Sequence, residues 1–208
     1  MTILHLDSSA RAASHSRALS AEAVAQLQAR FPDASVVYHD LSRESLPFVS
    51  EEWVAAAFSD PATHSEELKN AIALSNTLVD ELLSADVLVA GVPMYNLGVP
   101  AAFKAWIDQI IRYGRTFAHN ADGSTALVAD KPTLFITARG GGGYGPGEAR
   151  ESFNFEDPYL KTVFAFIGIN STSFAHINNS SHDELLPASL EEARGIVAHF
   201  VDSVGSAS

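Results

Sequence analysis

Five short runs of the chain, residues 2–7, 35–39, 87–91, 132–137 and 171–176, are apolar or β-branched and bounded by polar or turn residues, the signature of buried strands. Longer stretches at 16–30, 66–83, 101–113, 159–167 and 190–204 read as helices. In the second of these, Leu68, Ile72, Ser75, Val79 and Leu82 recur at steps of three and four, which puts a mostly apolar stripe on one helix face. Strands alternating with helices specify an α/β fold, a doubly wound five-stranded parallel sheet with helices on both faces. At 208 residues the chain suits a single domain spanning 1–208. Two segments break the alternation. Residues 41–63 hold Pro47, Phe48, Trp53 and Phe58 and are too aromatic for a plain linker, and 117–130 carries a turn signal at Asp122-Gly123. Both read as excursions near a site or an interface.

Composition narrows the function classes. Hydrophobic residues make up 47 % and charged residues 18 %, a globular balance. With 13 bases against 25 acids the formal charge is -12, which argues against nucleic acid or an anionic membrane as partner, since both require a positive field. An anionic ligand must then be held by local chemistry. The chain has no cysteine, so disulfides, thiolate nucleophiles and Cys-based metal sites are excluded and a cytoplasmic setting is expected. Residues 1–7 show neither a basic region nor a long apolar run, so no signal peptide is expected there. The most apolar stretch, 87–103, is interrupted by Pro93, Asn96 and Pro100, so no membrane span is expected either. None of the eight histidines falls in an H-E-x-x-H spacing, and no metal is expected.

In an open parallel sheet, ligands bind outside the carboxyl ends of the strands, near the point where strand order reverses. The loops after the first, third and fourth strands therefore matter most. The first runs Ser8-Ser9-Ala10-Arg11-Ala12-Ala13-Ser14-His15-Ser16-Arg17 into a helix, where hydroxyls and unsatisfied amides together suit a phosphate. Ser14 or Ser16 taken alone equally suits an N-cap. After the third strand, Pro93 and Pro100 restrict the backbone on either side of Met94, Tyr95, Asn96, Leu97 and Gly98, presenting amides and an aromatic surface to a flat ligand. Core packing of Met94 and Tyr95 is the competing reading. After the fourth strand come Ala138, Arg139, Gly140 and Gly141, then glycines out to Gly147, which admit close approach to the backbone or form a mobile loop. Gly140, Gly142 and Gly145 satisfy G-x-G-x-x-G, but a late strand and no helix opening deprive that match of its dinucleotide-binding context. Windows 8–21, 87–107 and 131–147 contain no Asp or Glu yet hold Arg11, Arg17, Lys104, Lys131 and Arg139, a local excess that favours an anion.

These residues resemble the FMN-dependent NADH azoreductases, also described as NADH:quinone oxidoreductases, within the flavodoxin-like fold. The most specific match is Pro93-Met94-Tyr95-Asn96, followed by Val99-Pro100, Lys104, Ile107-Asp108, Gly114 and Thr116-Phe117. Ser8-Ser9, Ser14-His15-Ser16, Arg139-Gly140-Gly141, Tyr159-Leu160 and Phe166-Ile167-Gly168-Ile169 support it, so the likeness runs over essentially the whole chain. It implies a homodimer with FMN at the subunit interface. Ser9, Ser14, His15 and Ser16 then bind the phosphate and ribityl chain, Met94, Tyr95, Asn96 and Leu97 line the isoalloxazine, and Ala138, Arg139, Gly140 and Gly141 border its pyrimidine side. His119 falls in a segment that the resemblance places near substrate, although a solvated loop histidine is the plainer reading. His15, Leu97 and Ala138 depart from the family, which often has an amide, an aromatic and a serine there.

The implied activity is hydride transfer from NADH or NADPH through bound FMN to quinones and azo compounds, in a ping-pong sequence. A non-enzymatic flavodoxin-like electron carrier is the alternative. Trp106, Ile110 and Tyr113 fit either a dimer surface or a core-facing helical stripe.

Overall fold

In the computed structural model, which describes residues 1–120 and 123–205, strand β1 (Thr2–Asp7) leads into helix α1 (His15–Arg30) and strand β2 (Ser35–Asp40). Then follow α2 (Glu51–Ala57), α3 (Glu66–Ser84), β3 (Val87–Gly91), α4 (Ala101–Ile110), β4 (Phe117–Asn120) and β5 (Gly123–Ala126). The chain closes with β6 (Thr133–Ala138), α5 (Glu156–Ile167), β7 (Thr172–Ile177) and α6 (Leu186–Ser203). The main sheet has the order β2-β1-β3-β6-β7 and is parallel throughout, as expected.

Pleating divides the core into two. Leu88 and Ala90 of β3 face α3, α4 and α5, packing with Leu78, Phe103, Trp106 and Phe164. Val87 and Val89 face α1 and α6, packing with Leu27, Val197 and Phe200. Trp106 and Ile110 are therefore core residues and not surface ones, whereas Tyr113 is 39 % exposed.

The two excursions acquire structure that periodicity did not reveal. Ser50 caps α2, accepting from the Trp53 amide at 3.2 Å, and this short helix packs Trp53, Ala56 and Ala57 against Ile72 of α3. The second excursion is an antiparallel hairpin, with Phe117 opposite Ala126 and Asn120 opposite Gly123. Of its expected turn, Asp122 lies outside the described residues, and Gly123 opens β5 at φ 128°. Helix α4 stops at Ile110, earlier than expected, because the Thr116 hydroxyl donates to the Ile110 carbonyl at 2.8 Å and accepts from the Arg112 amide at 2.8 Å, closing the helix end. Helices α5 and α6 start earlier than expected, the latter with Pro187 in its first turn. Among the described residues no helix is long and apolar enough to cross a membrane.

Candidate functional site

Strand order reverses between β1 and β3, where Asp7 and Gly91 sit side by side at the carboxyl end of the sheet. Ser8 ties the two strands together there, donating to the Gly91 carbonyl from its amide at 3.1 Å and from its hydroxyl at 3.0 Å. A cavity of about 150 Å³ opens above this point. Ser9, Ser14 and His15 line it from the first loop, Met94 and Tyr95 from the second, and Ala138 and Gly140 from the third. Three loops far apart in sequence thus share one cavity.

On one side of this cavity stands the N-terminus of α1. Ser14 is its N-cap, its hydroxyl accepting from the Arg17 amide at 3.4 Å, so the capping reading and the ligand reading fall on the same residue. Ser16 lies behind it, fully buried, with its hydroxyl 3.0 Å from that of Ser14. The amides of Ser14, His15 and Ser16 have no acceptor among the described residues. Helices α2 and α3 carry Glu pairs in their first turns, which answer the positive end of the helix dipole; α1 carries no acid there. Free amides, paired hydroxyls and an unanswered dipole are the donor set for a phosphate.

The loop is held from below. Asp7, 1 % exposed, accepts from the Ser20 hydroxyl at 2.8 Å, the Tyr38 hydroxyl at 3.1 Å and Arg17 at 3.4 Å. Arg17 also donates to the Ser9 carbonyl at 3.0 Å and to Asp40 at 3.0 Å, pinning the serine loop to β2. Burial, reinforced by Asp7, pushes the Tyr38 phenol up to about 12, so it stays a donor at any working pH.

The second loop turns sharply. Tyr95 and Gly98 exchange backbone hydrogen bonds at 2.9 and 3.2 Å around Asn96 and Leu97, whose φ values are 49° and 74°. Left-handed backbone is tolerable for Asn but strained for Leu, so this is a costly turn kept at the cavity's edge. The Phe155 amide donates to the Leu97 carbonyl at 3.2 Å and fixes the turn to the start of α5. The Tyr95 hydroxyl accepts from the Ala10 amide at 3.2 Å and lies 3.3 Å from the Ser9 hydroxyl, so it bridges the first two loops. Asn96 and Leu97 adjoin the cavity along the chain but do not line it.

Arg139 is 2 % exposed and turns away from the cavity into α5, donating to Asp157 at 2.5 Å and to Glu156 at 3.3 Å. What Arg139, Gly140 and Gly141 offer a ligand is therefore backbone. The Gly140 and Gly141 amides have no acceptor among the described residues, while their carbonyls accept from Ser181 and Asn179. The glycine run ends in a single 3-10 turn, Glu151–Phe153, and not in a helix, so the G-x-G-x-x-G match remains without its context.

The charge reading needs correction. Of the five bases in the acid-free windows, Arg17 is paired with Asp40, Lys104 with Asp108 and Arg139 with Asp157, while Lys131 donates to the carbonyls of Leu82 and Ala85. Arg11 alone of the five lines the cavity. Anion affinity there rests on amides, hydroxyls and one guanidinium.

His119 does not line this cavity. It sits exposed on β4, its ring 5.7 Å from Tyr113 and 5.5 Å from Phe117, with Nδ1 3.1 Å from the Ser124 hydroxyl. Sequence reasoning missed Ser180 and Ser181, which complete the lining from the loop after β7. The run Asn178-Asn179-Ser180-Ser181 at a strand's carboxyl end was the available signal.

A family model described as flavodoxin-like fold matches residues 1–199. The chain is similar, at 46 % identity over 198 residues, to an FMN-dependent NADH:quinone oxidoreductase of Nostoc punctiforme, covering 95 % of this chain and 96 % of that one. It is 42 % identical over 165 residues to an FMN-dependent NAD(P)H:quinone oxidoreductase of Pseudomonas aeruginosa, covering 77 % and 78 %. Among solved structures, the azoreductase AzrA superposes with a TM-score of 0.83 at 27 % identity, over 96 % of this chain and 100 % of that one. An azoreductase from Bacillus anthracis strain Sterne superposes at 0.81 with 25 % identity over 97 % of both chains.

Proposed function

The chain belongs to the flavodoxin-like fold family, and from that premise we propose that it is an FMN-dependent enzyme moving a hydride from NADH or NADPH to quinones and azo compounds, as a homodimer in the cytoplasm. One observation carries the reading: the free amides and paired serines at the start of α1 share a cavity with the Met94-Tyr95 loop and Gly140. When bound, FMN supplies the hydride chemistry.

The chain's own residues hold and orient it. Ser9, Ser14, His15 and Ser16 receive the phosphate end through hydroxyls and amides, with Arg11 adding the one unsequestered charge. Tyr95 fixes the distance between the phosphate loop and the ring platform by its contacts to Ser9 and Ala10. Met94, Tyr95, Asn96 and Leu97 form that platform, and the free amides of Asn96, Gly140 and Gly141 are oriented donors for negative charge at the ring's edge. Because these donors are backbone groups, the departures at His15, Leu97 and Ala138 leave them in place. Substrate contact is assigned to His119 through the partner subunit, since it lies outside its own chain's cavity. Phe48 and Phe58, 81 % and 61 % exposed, support burial against a second copy.

The test is an absorbance scan of purified protein with and without NADH, followed by NADH consumption with benzoquinone or methyl red. Flavin bands that bleach on NADH, and turnover with either acceptor, are expected. A carrier needs a separate reductase and consumes no NADH on its own; a colourless protein that fails to take up added FMN rejects both readings.

A further inference from the structure

Strand β2 is an edge of the main sheet, and near its carboxyl end His39 stands between two acids from different elements. Nδ1 lies 2.9 Å from a carboxylate oxygen of Glu44, in the turn after β2, and Nε2 lies 2.8 Å from a carboxylate oxygen of Glu81 on α3. A neutral imidazole has one donor nitrogen and one acceptor, so in that form one lone pair faces an anion; only the imidazolium donates to both acids. Neither carboxylate has an arginine or lysine partner among the described residues. The other charges around the ring are committed elsewhere. Asp40 pairs with Arg43 at 3.3 Å, Asp80 of α3 pairs with Arg115, the Tyr38 hydroxyl donates to Asp7, and the residue beside His39 on β1 is Leu6.

The turn that carries Glu44 is built on Asp40. The Asp40 carbonyl accepts from the Arg43 and Glu44 amides at 2.9 and 3.0 Å, and its carboxylate accepts from the Ser42 hydroxyl at 2.7 Å. The same carboxylate pairs with Arg17 at 2.9 Å, and Arg17 donates to the Ser9 carbonyl at 3.0 Å. Loss of the imidazolium proton therefore releases Glu44 or Glu81, and the unit that loosens includes the support of the serine loop. We propose that His39, Glu44 and Glu81 form a proton-operated clamp between β2 and α3, and that closing it tightens the hold of the serine loop on phosphate, a coupling that rests on the FMN assignment.

The direction of the switch follows from its surroundings. Burial alone lowers the His39 pKa, but the hydrogen bonds to Glu81 and Glu44 outweigh it and hold the group above its ordinary 6.5. The contribution of the clamp to stability is fully present below 6.5 and is lost as pH rises through the raised value.

NMR of the ring nitrogens, in isotope-labelled protein supplemented with FMN, reads the proton directly, with His39→Gln identifying the signal among eight histidines. The midpoint is expected above 6.5, with both nitrogens protonated below it, and Glu81→Gln, which keeps the imidazole and removes one acid, lowers that midpoint. Fluorescence titration then compares the FMN Kd at pH 6.5 and at about pH 9, an interval that spans the opening of the clamp. In the wild type Kd rises about fivefold more over that interval than in His39→Gln or Glu81→Gln, the low end of coupling between separate sites. A wild-type midpoint at or below 6.5 overturns the clamp. An equal change of Kd in all three proteins overturns its coupling to the serine loop and leaves the FMN assignment standing, whereas failure to bind FMN at either pH rejects that assignment and the coupling together.

Discussion

The hydroxyl oxygens of Ser14 and Ser16 lie 3.0 Å apart, both buried, at the first turn of α1. Each is the other's only side-chain hydroxyl neighbour in that turn, so a phosphate arriving there recruits both as donors. Hydrogen bonds to a charged group contribute about 1.5–3 kcal/mol each, so Ser14→Ala with Ser16→Ala weakens FMN by at least about 100-fold. Loss of the Ser14 cap costs about 1 kcal/mol, which lowers Tm by about 2–4 °C without changing the fold. Fluorescence titration of FMN and circular dichroism melting check the two effects separately; unchanged FMN affinity removes the serines from the site.

Gly91 packs the end of β3 against the start of α1, whose Ser14 and His15 line the same cavity. A Cβ placed there meets Asp7 Oδ1 at 2.5 Å and the Ser16 carbonyl oxygen at 3.2 Å, so β3 and α1 approach closely only because the side chain is missing. Asp7 cannot retreat without breaking its bonds to Ser20, Tyr38 and Arg17. Gly91→Ala is expected to destabilise the protein by about 1–3 kcal/mol and to weaken FMN, because the strain is delivered to Ser16. Urea unfolding with and without FMN measures both.

The sheet was legible in the sequence because strands buried on both faces, such as β3, have no exposed position to interrupt their apolar run. The hairpin was not, since every residue of β5 is exposed and leaves no alternation to read. Helix α2 was hidden by its brevity, with three buried residues in seven. The site loops were legible from position and residue type, but the charge argument misjudged them. Asp40, Asp108 and Asp157, which neutralise Arg17, Lys104 and Arg139, all lie outside the windows that were free of acid. Pairing across the fold is invisible to any count along the chain.

If nicotinamide and acceptor use one flavin face in turn, initial-velocity plots of NADH against benzoquinone give parallel lines. Intersecting lines mean that both are bound together and refute the alternating sequence.

Leu97 occupies φ 74° within the turn closed by Tyr95 and Gly98. A non-glycine residue there carries about 1–2 kcal/mol of strain. Leu97→Gly relieves it, and after the larger entropy of the unfolded chain is set against that gain, stability rises by about 0.5–1 kcal/mol. The measurement is the urea midpoint. A drop in the midpoint shows instead that the Leu97 side chain, and not the turn, is what the position requires.

Glu156 and His176 flank the Arg139 and Asp157 pair and titrate in opposite senses. Glu156 is fully buried with Oε1 unpartnered among the described residues, and burial, against the opposing pull of Arg139, raises its carboxyl from 4.5 to about 8. The folded chain therefore holds a proton that the unfolded chain loses above its ordinary value, and this contribution to stability declines as pH rises from 4.5 to about 8. His176, with Nε2 3.4 Å from Asp157, is lowered from 6.5 to about 4 by burial and by Arg139. Here the unfolded chain takes up the proton first, so the contribution is intact above 6.5 and is lost as pH falls toward about 4. Between the two, the slopes oppose each other. Melting temperatures of wild type, Glu156→Gln and His176→Gln from acid to mildly alkaline pH separate the limbs. Relative to Glu156→Gln, the wild type should lose stability as pH rises toward 8; relative to His176→Gln, it should lose stability as pH falls below 6.5. A difference curve that is flat over its window removes that residue from the pH dependence of the α5 end of the site.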